Sequence, residues 1–168
     1  MSELKKIDHS AMTVNQILII ALDIIAFVLN QPWLAAFVMA VMAIGTLAGR
    51  PGFGPVYHLL LKPLGLAKPQ VLLDNPEPHR FAQGFGAVVM ATGSALLFAG
   101  LAVPGWSLVW FVVALAALNA FAGFCAGCFV YYWLTRLRVP GFATSPPEGT
   151  FPGMRPRGSP GEVDSDAV

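Results

Sequence analysis

Apolar residues fall in four long runs, Met12–Leu29, Pro32–Ala48, Phe81–Val103 and Trp106–Leu134, and most polar residues lie in the segments between and beyond them. Each run is long enough to cross, or nearly to cross, a bilayer as a helix, which takes about 20 mainly apolar residues at about 1.5 Å of rise each. Asn30-Gln31-Pro32 links the first two runs and Ala102-Val103-Pro104-Gly105 the last two, both as tight turns. The pattern predicts an all-α integral membrane protein of four transmembrane helices in two hairpins, with both termini on one side. Composition agrees: 56% of the 168 residues are apolar and only 11% are charged, a balance foreign to soluble globular domains.

Charge adds a direction. The basic residues Lys5, Lys6, Arg50, Lys62, Lys68, Arg80, Arg136, Arg138, Arg155 and Arg157 all lie in the N-terminal arm, the connector between the hairpins, or the C-terminal segment. Neither hairpin tip carries one. The positive-inside rule therefore predicts cytoplasmic N- and C-termini in a multi-pass protein of the inner, cytoplasmic membrane. The start of the chain is charged like a signal peptide, but the apolar run after it is long, holds Asp23 and lacks a clear small-residue cleavage site, so it reads as the first span.

The organisation follows: a membrane domain over residues 1–138, with a connector at 49–80, and a flexible cytoplasmic tail over 139–168. The connector opens with Gly49-Arg50-Pro51-Gly52-Phe53-Gly54-Pro55, which breaks a membrane helix. Val56–Leu66 then reads as a short helix lying in the interface, with Lys62 reaching outward. The tail is rich in Pro, Gly and Ser and nearly free of aliphatic residues, too poor in apolar surface to offset ordering entropy.

Chemistry is scarce. The two cysteines form Cys125-Ala126-Gly127-Cys128 near the cytoplasmic end of the last run. On a regular helix they share one face a turn apart, close enough for a strained disulfide, although a cytoplasmic pair is normally kept reduced. Topology gathers polar residues at the same depth: Asn15 and Gln16 at the mouth of the first helix, Arg80 and Gln83 at that of the third, and Asn119 on the fourth. These five are the candidate binding cluster around Cys125 and Cys128, the candidate redox or sulfur-carrying pair. His9 and His79 flank the helix entries.

Plainer roles compete for each residue. Gly123-x-x-x-Gly127 with Ala116 and Ala120 is a small-residue stripe suited to close helix packing, and the amides could be interhelical glue. Cysteines often serve as small buried hydrophobes. Asp23 within a span is costly and points to function by default. A zinc site could draw on Cys125, Cys128 and His9 or His79, but no second cysteine pair or paired-histidine spacing supports a metal. Phe129 after Cys128 excludes covalent haem attachment. No nucleotide or phosphate loop, metalloprotease helix or nucleophile elbow is present, and no cofactor is predicted. The dispersed basic residues do not form a nucleic-acid surface.

Several motifs fall in a familiar order: Asp8-His9, then Val14-Asn15-Gln16, Arg80-Phe81-Ala82-Gln83, and Gly123-Phe124-Cys125-Ala126-Gly127-Cys128-Phe129 with Asn119 upstream and Tyr131 downstream. Together they resemble a family of small bacterial membrane proteins called domain of unknown function 4395, over roughly Lys5 to Leu134. The resemblance implies no established activity. It implies possible association with thioredoxin-like or rhodanese-like (sulfurtransferase) proteins. The leading expectation is a cytoplasm-facing dithiol in thiol–disulfide or sulfur-transfer chemistry, with Arg80 stabilising negative charge. The alternatives are an accessory subunit of a larger membrane complex, with packing cysteines, or a small transporter component built around Asp23, which would need to oligomerise.

Overall fold

The computed structural model describes residues 5–64, 70–142, 144–146 and 149–155, with the backbone only for 5, 6 and 73. The order is β1 (Lys5–Asp8), α1 (His9–Val28), α2 (Pro32–Ala48), α3 (Gly54–Val56) running into a π-helical turn (Tyr57–Leu61), β2 (Val71–Asp74), α4 (Pro76–Phe98), α5 (Ala102–Ala122) and α6 (Ala126–Arg136).

The helix ends follow local chemistry. Asp8 caps α1, its Oδ1 accepting from the Ser10 N–H at 3.0 Å, which satisfies one of the orphan donors of a helix start. Pro32 opens α2 with its ring pre-set for the helix, and Gly49, at φ 67°, ends it in the left-handed conformation. Pro76 opens α4, and Glu77 in its first turn suits the positive end of the helix dipole.

The helix α4 is central, packing on α2, α5 and α6, while α1 lies against α2 and α5. Small residues allow the close approaches. A Cβ on Gly105 would fall 2.7 Å from Leu97 and 3.0 Å from the Gly93 carbonyl, so α4 and α5 meet backbone to backbone. Val38, Met42, Met90 and Val109 fill the centre. The perimeter is apolar as well: Val28, Trp33, Leu47, Val103 and Phe121 stand exposed. Three helices, α1, α4 and α5, are long and apolar enough to cross a membrane, and α2 is a shorter apolar helix of 17 residues. The chain is a helical membrane protein.

Three features differ from the sequence reading. The run 106–134 is not one helix. Gly123, at φ 64°, ends α5, Phe124 is bridged to Met154, and α6 starts afresh at Ala126. Secondly, the chain is not purely helical, because β1 and β2 form an antiparallel ribbon in which Ile7 pairs with Leu72 and Asp8 with Val71. Its pairing ties the N-terminal arm to the connector. Thirdly, the connector's helical stretch begins at Gly54 and ends at Leu61, anchored by the buried Tyr57, whose hydroxyl donates to Asp8 at 2.8 Å.

The segment expected to be a tail also makes contacts. Thr144 is buried and its hydroxyl donates to Glu77, and the Asn75 carboxamide donates to the Ser145 carbonyl at 2.9 Å. Residues 156–168 lie outside the described residues, as do 1–4 and 65–69.

Candidate functional site

Cys125 is the N-cap residue of α6, in an extended conformation at φ −93° and ψ 99°. Its Sγ therefore turns towards the first turn of the helix and accepts from the Cys128 N–H at 3.2 Å. The two cysteines are joined as a disulfide with Cα atoms 5.2 Å apart, inside the usual range for such bonds. One expectation is corrected here: the pair does not sit on one face of a regular helix, because the break at Gly123 lets Cys125 leave helical geometry. Both residues are buried, among Tyr131, Tyr132, Phe81 and Phe142. Gly127 permits this, since a Cβ there would lie 2.5 Å from that of Ala82 on α4.

His79, in the first turns of α4, reaches the pair. Its Nδ1 lies 3.5 Å from Cys128 Sγ, and its Nε2 lies 2.9 Å from Asp74 Oδ2. With Nε2–H donating to the carboxylate, the neutral ring presents the Nδ1 lone pair to the sulfur. Asp74 sits at the end of β2, its Oδ1 accepting from the Asn75 N–H at 2.7 Å. His9 Nε2 lies 3.3 Å from the same Oδ2, without hydrogen-bond geometry, and its ring stands edge-on to that of His79. Burial pushes the Asp74 carboxyl up, but the hydrogen bond from His79, His9 beside it and the Asn75 N–H together hold it well below the usual carboxylate range.

Sequence reasoning placed both histidines beside the helix entries and did not single out Asp74. The apolar stretch Val71-Leu72-Leu73 between Gln70 and Asn75-Pro76 was the available strand signal. Metal-ligating atoms of His79, Cys125 and Cys128 lie within 4.8 Å of one another, as do those of His9, Asp74 and His79. After reduction the first set would offer two thiolates and an imidazole, donors that suit zinc or copper(I).

The five predicted polar residues, Asn15, Gln16, Arg80, Gln83 and Asn119, line one cavity of about 570 Å³, and Cys125 lines it too. Three of them are engaged with backbone. Asn15 Oδ1 accepts from the Phe53 N–H at 2.8 Å, Gln83 donates to the Met42 carbonyl at 3.0 Å, and Arg80 Nε donates to the Thr46 carbonyl at 2.7 Å. Gln16 Oε1 is buried with no hydrogen-bond partner among the described residues. Cys128 instead faces a much smaller space of about 20 Å³, shared with His9, Asp74 and His79. Asp23 lines neither cavity; both its carboxylate oxygens are buried without a partner among the described residues.

A strap formed by residues 149–155 crosses the cysteine pair. Cys125 N–H donates to the Gly153 carbonyl at 2.7 Å, and Arg155 N–H to the Gly123 carbonyl at 2.9 Å. The Arg155 guanidinium reaches Thr13 Oγ1 at 3.1 Å on α1. Gly153 is required twice over: its φ is 86°, and a Cβ would lie 3.0 Å from the Cys125 carbonyl.

Fold and site thus define a helical membrane protein with a buried Cys-x-x-Cys pair beside an imidazole held by a carboxylate. Residues 7–136 match the family model described as Domain of unknown function (DUF4395), and the chain belongs to that family. No curated protein and no solved structure gives a significant match to it.

Proposed function

We propose that the protein is a membrane thiol–disulfide oxidoreductase whose reacting groups are Cys125 and Cys128. The observation that carries this reading is the asymmetric setting of the two sulfurs: Cys125 Sγ at the start of α6, Cys128 Sγ beside His79. An incoming thiolate attacks Cys125, the cysteine that lines the large cavity, and forms a mixed disulfide as the Cys125–Cys128 bond breaks. Cys128 leaves as a thiolate, and a protonated His79 gives it the proton. A second thiolate of the same partner then attacks the partner's sulfur in the mixed disulfide. Cys125 is released as a thiolate, stabilised by the Cys128 N–H and the positive end of the α6 dipole. The sum is one disulfide exchanged for another, with no electron unaccounted for.

A purely structural bond is the weaker reading. Closing so short a loop recovers only about 2 kcal/mol of chain entropy, and the bond ties the first turn of α6 to itself rather than to another element. The topology we propose has four spans, α1, α2, α4 and the α5–α6 pair, with both termini and the cysteine pair near the cytoplasmic face. Its support is the placement of the basic residues. A cytoplasmic dithiol protein of the thioredoxin type is then the fitting partner. Sulfur transfer through a persulfide on Cys125 uses the same groups but has no separate observation behind it.

The test is redox titration of the purified protein in lipid nanodiscs, with mass-tagged maleimide counting thiols. Reversible conversion between zero and two thiols per chain is expected, and Cys128→Ser should trap a mixed disulfide on Cys125. A pair that reacts only after denaturation would sink the proposal.

A further inference from the structure

The cavity beside Cys125 has a shape and a chemistry of its own. At about 570 Å³ it falls within the roughly 300–1,000 Å³ of small-molecule sites. Its walls are apolar over most of their extent, with Ile19, Met42, Phe85, Phe111 and Val130 among them. Phe85 on α4, Phe111 on α5 and Val130 on α6 are also about half exposed, which points to an opening between these helices. Cys125 is in the lining, to which Gln16 and Asn119 contribute carboxamides. Gln16 Oε1 is buried and lacks a donor among the described residues. Asp8, Arg50 and Arg80 also line the cavity, but Arg80 is held by the Thr46 carbonyl and the wall is mainly apolar, so burial there favours apolar surface. The space suits a flat, lipid-soluble molecule with a polar head.

We infer that this cavity binds a quinone, which takes the electrons of the Cys125–Cys128 dithiol. The inference rests on the oxidoreductase reading and names its second substrate. A carboxamide both donates and accepts, so Gln16 and Asn119 can hydrogen-bond a quinone carbonyl before the reaction and a quinol hydroxyl after it. In the step itself the two thiols lose two electrons and two protons as the S–S bond forms. The quinone gains both, its two carbonyls become hydroxyls, and quinol leaves through the opening between the helices. His79, beside Cys128 and in the lining of the cavity, takes the proton of that thiol as the bond closes and passes it on, so both thiol protons end on the quinol.

The experiment uses the full chain in nanodiscs, reduced, freed of reductant and kept anaerobic. A fully ring-substituted benzoquinone, which cannot add a thiol, is supplied with a short alkyl tail; a ring-substituted naphthoquinone forms a second arm that reads head-group preference. One quinol per chain is expected, with thiols falling from two to zero. The Cys125→Ser/Cys128→Ser protein should still bind the quinone and reduce none. Ala116→Trp, which fills the cavity from α5, should slow quinone reduction at least tenfold, and Gln16→Leu should raise the KM for quinone. If reduced protein exchanges with oxidised glutathione yet leaves both quinones unreduced, the quinone inference is overturned and the oxidoreductase reading stands. If the cavity holds only a lipid acyl chain that quinone fails to displace, the inference likewise fails. A pair inert to glutathione and quinone alike removes both readings together.

Discussion

Cys125 and Cys128 are three positions apart and experience different surroundings. The first has its sulfur at a helix N-terminus and opens on the cavity; the second is enclosed with an imidazole. In the reduced protein, Cys125 should therefore be alkylated first, with Cys128 following at least tenfold more slowly, as read by mass tagging of single-cysteine variants. His79→Ala should slow exchange by about a hundredfold, the usual scale for removing a positioned acid–base group. Asp74 carries a further prediction. Its carboxyl is held below its ordinary value in the folded protein, so its contribution, about 2–3 kcal/mol, is complete above the unfolded value near pH 4. It is lost as the pH falls further towards the folded value. Thermal unfolding of the native protein against Asp74→Asn should show a gap at pH 7 that narrows below pH 4.

At the scale of elements, the break between α5 and α6 positions the site. Gly123 ends α5 in a conformation that costs other residues about 1–2 kcal/mol, so Gly123→Ala should lower the melting temperature and loosen the Cys125 cap. Gly127→Leu should be worse, because α6 can no longer rest on Ala82; overpacking of this kind costs about 1–3 kcal/mol. Ala82→Gly should restore part of the loss. These elements were unequally legible beforehand. The long helices are written in a lipid-facing apolar pattern that is local and continuous, and Asn15, Gln16, Arg80, Gln83 and Asn119 could be gathered from helix direction alone. Gly123 hinted at the break. The pairing of Lys5–Asp8 with Val71–Asp74, which delivers Asp74, and the return of Gly153 to Cys125 join residues distant in sequence, and no local pattern encodes either.

At the scale of the whole molecule, the proposed topology predicts sidedness. In a Cys125→Ser/Cys128→Ser background, cysteines at Gln31 and Leu101 should react with an impermeant maleimide from outside intact cells. Cysteines at Lys62 and Arg138 should react only after permeabilisation, and the reverse pattern would invert the protein in the membrane. The strap divides the site spatially. Gly153, Met154 and Arg155 border the small space around Cys128 and His79, whereas none of them lines the large cavity. In the proposed cycle donor and acceptor both reach Cys125 from the large cavity, so the strap can stay in place and the partner must leave before the quinone enters. The two substrates need never occupy the protein at once, and a steady-state assay varying both should give parallel double-reciprocal lines, the kinetic mark of a centre that one substrate reduces and the next reoxidises.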